Sequence, residues 1–449
     1  MSQTENRMGT ERVSRLVLTT GIPLMLSLLI NSLYNFVDSV FVSRISEDAL
    51  TALSLAAPVQ VFVSALGFGN AVGLNAAISR ARGEKRPDKV RKTACAALFI
   101  AFCAWLMLVV IGLIGIRPYF AWQSGGNEAI ARHGRDYLSV CMLLSLGQMG
   151  QWVFDRFVIA SGRSGLFLFT LSAASVTNLI LDPVFIFALG MGTRGAAIAT
   201  VIGQFVGMLA GLFINRRWNP EIPFSFTLKP DLASVATILR VGIPSTLVQV
   251  LTSFVSVAMN SILLGFSATA VAVYGVCNRI FGLSTVGVHG INNGLIPIVA
   301  YNYGASRPER IRGSVRWAMV YSFAFFVPFL LVLELAPAAV LQLFNASENM
   351  LAIGRPALRL LTLGWLISIP NLVVAASLQG LSLPRPSMVL TLLRQAALPI
   401  LLAFLLSLTG DLTALWLCIP LAEALCIPLA LRLWTGSQAR TLGQGAGRP

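Results

Sequence analysis

The strongest constraint on this chain is that it repeats itself. Gly21-Ile22-Pro23 returns as Gly242-Ile243-Pro244, a shift of 242 − 21 = 221 positions. In the same ungapped register Gly69 and Gly73 fall on Gly290 and Gly294. So does a polar run: Gly83-Glu84-Lys85-Arg86-Pro87-Asp88-Lys89-Val90-Arg91 falls on Gly304-Ala305-Ser306-Arg307-Pro308-Glu309-Arg310-Ile311-Arg312. Two Gly-Ile-Pro starts and two R-P-[DE]-[KR]-[VI]-R loops in one register require two equivalent halves, each built on the same helix pattern. In a strongly apolar chain, a duplication of this kind is the sequence form of a carrier whose ligand binds between related halves.

Composition fixes the solvent. Apolar residues make up 56% of the chain and charged residues 11%, where a soluble domain carries roughly 25% charged residues. The mean hydropathy is +0.77. Such a chain cannot cover a soluble surface, so it reads as an all-α polytopic membrane protein. A bilayer-spanning helix needs about 20 apolar residues. Twelve runs qualify: 16–42, 50–78, 93–116, 137–160, 166–189 and 195–214 in the first half; 233–264, 268–300, 316–336, 357–379, 387–408 and 412–433 in the second. The expected organisation is an N-terminus (1–15), an N-lobe (16–214), a polar linker (215–232), a C-lobe (233–434) and a tail (435–449). Each half holds six spans, an even number. The two repeats therefore enter the membrane in the same sense, with a pseudo-twofold axis along its normal.

The net charge of +15 follows topology. Lys and Arg concentrate in the N-terminus, in the loops after spans 2, 4, 6, 8 and 10, and in the tail. The loop 80–92 alone holds Arg80, Arg82, Lys85, Arg86, Lys89, Arg91 and Lys92. The positive-inside rule then puts both termini in the cytoplasm of a cell inner membrane. No nucleic-acid motif accompanies the charge. The six cysteines form no C-x-x-C, and His133 and His289 are far apart, so neither a zinc site nor a disulfide framework is expected. No H-E-x-x-H or G-x-S-x-G is present, which argues against an enzyme.

Intramembrane charges are where function is expected. Asn31, Tyr34, Asn35 and Asp38 recur at intervals of three and four, on one helix face. Asp182 has Asn178 one turn earlier and Pro183 just after. Glu334 and Glu423 are further acidic candidates, and Asp155 sits beside Arg156, where the two can neutralise each other locally. Two carboxylates in one dry site resist joint ionisation, so such a site can take up a proton. With amide and hydroxyl oxygens nearby it can instead hold Na⁺. Pro23, Pro58, Pro244, Pro297, Pro370 and Pro399 interrupt the spans as kinks or hinges.

These residues resemble the MATE (multidrug and toxic compound extrusion) family, over nearly the whole chain from Leu16 to Trp434. Span 1 reads Ser32-Leu33-Tyr34-Asn35-Phe36-Val37-Asp38-Ser39, like that family's opening helix with its acid. The most specific signal is Asn178-x-x-x-Asp182-Pro183 followed by Gly195-Ala196-Ala197-Ile198-Ala199-Thr200, similar to the branch with its cation site in the N-terminal lobe. The resemblance implies a MATE-type fold of twelve helices. It implies that Asp38, Asn178, Asp182 and Thr200 bind the coupling H⁺ or Na⁺, with Tyr34 and Asn35 near the site. It implies antiport: a cation enters and an organic, cationic or amphipathic solute leaves. No cofactor beyond the coupling ion is expected, and the partners are small organic solutes and membrane lipid, with the protein a monomer. Other MATE branches carry acids in helices 7, 8 or 10. Here those helices offer Gln249, Asn260, Asn371 and Gln379, with Arg279 and His289 in helix 8. Gln249, Arg279 and Asn371 are the substrate-cavity candidates, and Glu423 has no evident amide or acid beside it. The alternative function is a flippase of a lipid-linked precursor in the same superfamily.

Overall fold

The computed structural model describes residues 7–43, 45–124, 126–344 and 347–438, with side chains throughout except at 31–40, 42–43, 47, 50–51, 54, 252–253 and 268. Every regular element among them is helical. The first six spans are α1 (Val13–Ser43), α2 (Glu47–Gly83), α3 (Pro87–Gln123), α4 (Glu128–Leu143, continued by Leu146–Ala160), α5 (Ser164–Pro183, continued by a π-helical turn Val184–Ala188) and α6 (Gly192–Trp218). The second six are α7 (Leu232–Leu264), α8 (Ala268–Ser284, continued by Val286–Gly304), α9 (Pro308–Leu335), α10 (Glu348–Gly380), α11 (Pro384–Leu392, a π-helical turn Leu393–Ala397, then Leu398–Ser407) and α12 (Leu412–Leu415, then Cys418–Ser437).

The helices run past the apolar segments at their polar ends. α3 and α9 begin at Pro87 and Pro308, several residues before the hydrocarbon stretch. Proline at the first helical position gives up no hydrogen bond, and Asp88 and Glu309 in the first turn favour the positive end of the helix dipole. The main breaks do not fall at the prolines singled out above. Five of them, from Pro23 to Pro370, lie inside continuous helix. A bend of 49° falls at the break in α8 around Thr285. Pro399 follows the π turn of α11 rather than kinking a helix.

The repeat recurs in detail. Ser46 and Ser267, 221 apart, cap α2 and α8 alike, each accepting from the backbone N of the third residue on, Ala49 and Ala270, at 3.0 Å. Lys85 (φ 56°) and Ser306 (φ 54°) both adopt the left-handed conformation in the loops before α3 and α9.

Two compact units form: Leu26–Thr246, and Leu247–Pro449 together with Met1–Met25. The boundaries thus fall inside α1 and α7, not in the linker 215–232. The start of each lobe's first helix packs into the other lobe's unit. In the first unit Ile238 of α7 joins a core with Leu74, Ile78, Phe120 and Phe157. There a Cβ on Gly69 would lie 2.7 Å from Gly242 O, and one on Gly242 would lie 2.7 Å from Gly69 O. In the second unit a Cβ on Gly21 would meet Ile291 Cα at 3.2 Å, and one on Gly290 would meet Met25 N at 2.6 Å. The repeated Gly-Ile-Pro and Gly-x-x-x-Gly are therefore two sides of one helix crossing, made once in each unit. Small residues there let backbones touch, the usual device for helix packing in lipid.

The repeated basic loops secure the segments that lead into these crossing helices. Arg310 donates to Met8 O (3.1 Å) and Glu11 O (2.8 Å), and Arg307 to Gly9 O (2.6 Å). In the other unit Arg82 pairs with Glu221, and Lys92 lies 3.9 Å from Asp231, just ahead of α7. Ser234 donates twice to the Asp231 carboxylate and lowers its pKa, assisted by Lys92.

Candidate functional site

In the unit Leu26–Thr246 the family signature becomes geometry. α5 and α6 approach closely because Gly195 and Gly203 leave no side chain between them. A Cβ on Gly195 would be 2.7 Å from Phe185 O, and one on Gly203 would be 2.7 Å from Ala174 O and 3.2 Å from Asn178 Cβ. That approach brings Asn178, Asp182 and Thr200 together. Asn178 Nδ2 donates to Asp182 Oδ1 at 3.3 Å and to Thr200 Oγ1 at 3.2 Å. Asn178 and Asp182 are almost fully buried, and Asn178 Oδ1 has no hydrogen-bond partner among the described residues. Pro183 and the π turn Val184–Ala188 follow directly, where the regular helical ladder is replaced by a wider one. The result is a carboxylate and a hydroxyl bridged by the Asn178 amide nitrogen at a helix irregularity: the carboxylate and hydroxyl oxygens can take up a proton, or a hard cation if the amide turns its oxygen toward them.

Asp38, Tyr34 and Asn35 lie outside the described side chains. The nearest contact in sequence is Phe41, whose ring meets Phe187 of the π turn edge-on at 6.3 Å and which packs with Ile186 and Ala196. The end of α1 therefore reaches the α5–α6 junction.

Asp155 and Arg156 do not pair as expected. Asp155 Oδ1 accepts from Thr170 Oγ1 at 2.6 Å, while the Arg156 guanidinium lies over the Trp152 ring at 5.4 Å. Adjacent residues on a helix point about 100° apart, which separates them.

The second unit holds a different buried centre that the sequence reading missed. Arg394, in the π turn of α11, pairs with Glu423 of α12 at 3.3 Å. Asn371 of α10 donates to Glu423 Oε2 at 2.8 Å and to Glu423 O at 2.9 Å. The expectation for Glu423 needs correction, since it has an amide partner and a basic one; Asn371 is fully buried against it. The signal was present as a lone arginine in the apolar run 387–408, whose acid is 29 residues away in sequence. Gln249 is exposed on α7. Arg279 is exposed and lines a cleft between α8, α9 and the short helix Pro337–Gln342. His289 is half-buried on α8.

The MatE family profile matches twice, over residues 23–184 and 244–405. Those two matches cover more than half of the chain and are themselves 244 − 23 = 221 apart. The chain belongs to the MATE family. Among curated relatives of this MATE protein, the multidrug export protein MepA of Staphylococcus haemolyticus is 24% identical over 415 residues, covering 92% of this chain and 91% of that one. MepA of Staphylococcus aureus (strain MSSA476) is 23% identical over the same share of each chain. Among solved structures, an outward-facing multidrug resistance MATE transporter of the MOP superfamily superposes with a TM-score of 0.91 at 22% identity, covering 99% of this chain and all of that one. A MOP superfamily transporter from Pyrococcus furiosus, described as having a binding pocket of reversed polarity, gives 0.89 at 22% identity, covering 98% of each chain. The fold is thus the twelve-helix MATE fold in two six-helix repeats. This MATE protein is a membrane transporter and not an enzyme.

Proposed function

We propose that the protein is a cation-coupled antiporter that exports organic, cationic or amphipathic solutes by alternating access. Its relatives named for multidrug export support the solute class. The observation that carries the coupling is the buried Asn178–Asp182–Thr200 cluster at the α5 π turn. H⁺ or Na⁺ binds there, with Asp38 of α1 as the second carboxylate and Tyr34 and Asn35 adjoining. Cation binding neutralises a carboxylate held in a dry site, and that change of charge biases the α5–α6 junction and the α1 end that rests on it. The C-terminal centre is a poor coupling site by the same reasoning, because Arg394 already supplies Glu423 with a fixed positive charge. The membrane is the cell inner membrane with both termini cytoplasmic, and the working unit is a monomer needing no cofactor beyond the coupling ion.

The test is purified protein in liposomes with an imposed pH or Na⁺ gradient, scored for movement of a cationic dye. Dye transport that follows one gradient in wild type and is lost in Asp182→Asn supports the proposal. Gradient-independent movement of fluorescent lipid between leaflets, without dye transport, would favour the flippase instead.

A further inference from the structure

The Arg279 cleft has no place in this coupling scheme. It has a volume of about 370 Å³, and apart from Arg279 and Ser284 its walls are apolar, with Leu283, Phe329, Val332, Leu343 and Phe344 prominent. That volume is at the low end of the roughly 300–1,000 Å³ typical of small-ligand pockets, enough for part of one acyl chain. The rim is open and greasy: Leu283 is 53% exposed, Val332 54% and Leu343 82%. In a membrane protein an exposed apolar surface of this kind can lie against acyl chains.

Arg279 is 279 − 268 = 11 residues along α8, and its cleft is walled by the last two turns of α9 and by Leu343 and Phe344 beyond that helix's end, the level at which a span passes from hydrocarbon to headgroups. Among the described residues it has neither an ion-pair nor a hydrogen-bond partner. The repeat shows that the fold does not require it, since the equivalent position 279 − 221 = 58 is Pro58. A guanidinium beside an apolar rim is costly unless an anion answers it, and its planar fork matches a phosphate in two-point fashion.

We infer that the Arg279 cleft is a binding site for an anionic phospholipid, with the phosphate on Arg279 and an acyl chain along Leu283, Phe329 and Val332. The occupant is a bilayer lipid and not the exported solute, because the rim is continuous with the exposed apolar surface of α9 and of the segment after it. This site is independent of the coupling proposal.

Native mass spectrometry can test it. Purified full-length protein is released from micelles holding equal amounts of phosphatidylglycerol and phosphatidylcholine with identical chains. Wild type should retain phosphatidylglycerol about tenfold over phosphatidylcholine, the scale of one charge-assisted contact. Arg279→Gln should remove that preference, and Arg279→Lys should keep part of it, which controls for folding. Leu283→Trp, which fills the cleft and spares the charge, should reduce retention of the anionic lipid. Undiminished preference in Arg279→Gln, or no preference in wild type, would overturn the assignment. So would displacement of the lipid by a soluble anionic amphiphile that the protein then transports, since the cleft would belong to the solute.

Discussion

Arg394→Met should unfold the protein early while leaving its coupling chemistry alone. Arg394 and Glu423 are 3.3 Å apart, and their side chains are 3% and 6% exposed. Removing the arginine leaves a carboxylate whose only described side-chain partner is the Asn371 amide at 2.8 Å. Breaking a buried ion pair by removing one member costs about 3–5 kcal/mol, because the survivor is buried without its counter-charge. At about 2–4 °C per kcal/mol for a unit of roughly 200 residues, the melting temperature should fall by on the order of 10 °C. Glu423→Gln should do similar damage by stranding Arg394, whose Nε already lacks a partner among the described residues. The double variant Arg394→Met/Glu423→Gln should recover most of the loss, since no net buried charge remains and the new amide can still meet Asn371. Thermal unfolding in detergent, followed by tryptophan fluorescence, would measure all three. Transport assayed well below the lowered melting temperature should keep its dependence on the gradient. Additive losses in the double variant, or a melting temperature unchanged in Arg394→Met, would refute the reasoning. Loss of gradient dependence in Glu423→Gln together with its retention in Asp182→Asn would move coupling to the C-terminal unit.

The converse is expected of the N-terminal cluster: Asp182→Asn and Asp38→Asn should each abolish gradient-driven dye export with the melting temperature nearly unchanged, and the double variant should be no worse than either. Thr200→Ala should weaken export less, since it removes a neutral oxygen and no titrating group. Gly290→Val should lower stability by about 1–3 kcal/mol or prevent assembly, because its Cβ would fall 2.6 Å from Met25 N; a melting curve matching wild type would contradict the crossing. Lys85→Gly and Ser306→Gly should each be neutral or stabilising by up to about 1 kcal/mol, as glycine relieves the left-handed backbone at φ 56° and 54°. External cysteine labelling in intact cells should reach the loops near Asp48, Gly125 and Ala346 and spare those near Arg86, Trp218 and Arg310; labelling of the 80–92 loop would reverse the topology.

Apolar run length and the 221-residue register were enough to settle the solvent, the span count and the duplication. Each is a property of local composition or of one segment compared with another. The pairing of Asn178 with Asp182 was also legible, because residues four apart on a helix share a face. Thr200 was placed beside them only by family resemblance, and the structure supplies the cause: glycines 195 and 203 draw α6 onto α5. Other features needed tertiary contacts. Sequence repetition tells which segments are equivalent, not which segments touch, so nothing in it showed that Gly21 packs on Ile291 or Gly242 on Gly69. The same limit hid the Arg394–Glu423–Asn371 centre, in which Glu423 is 29 residues from Arg394 and 52 from Asn371 along the chain. A lone charge in an apolar run announces that a partner must exist, because hydrocarbon penalises an unanswered ion. Which residue answers depends on how three helices pack, and that is decided by shape and backbone proximity only after the chain has folded.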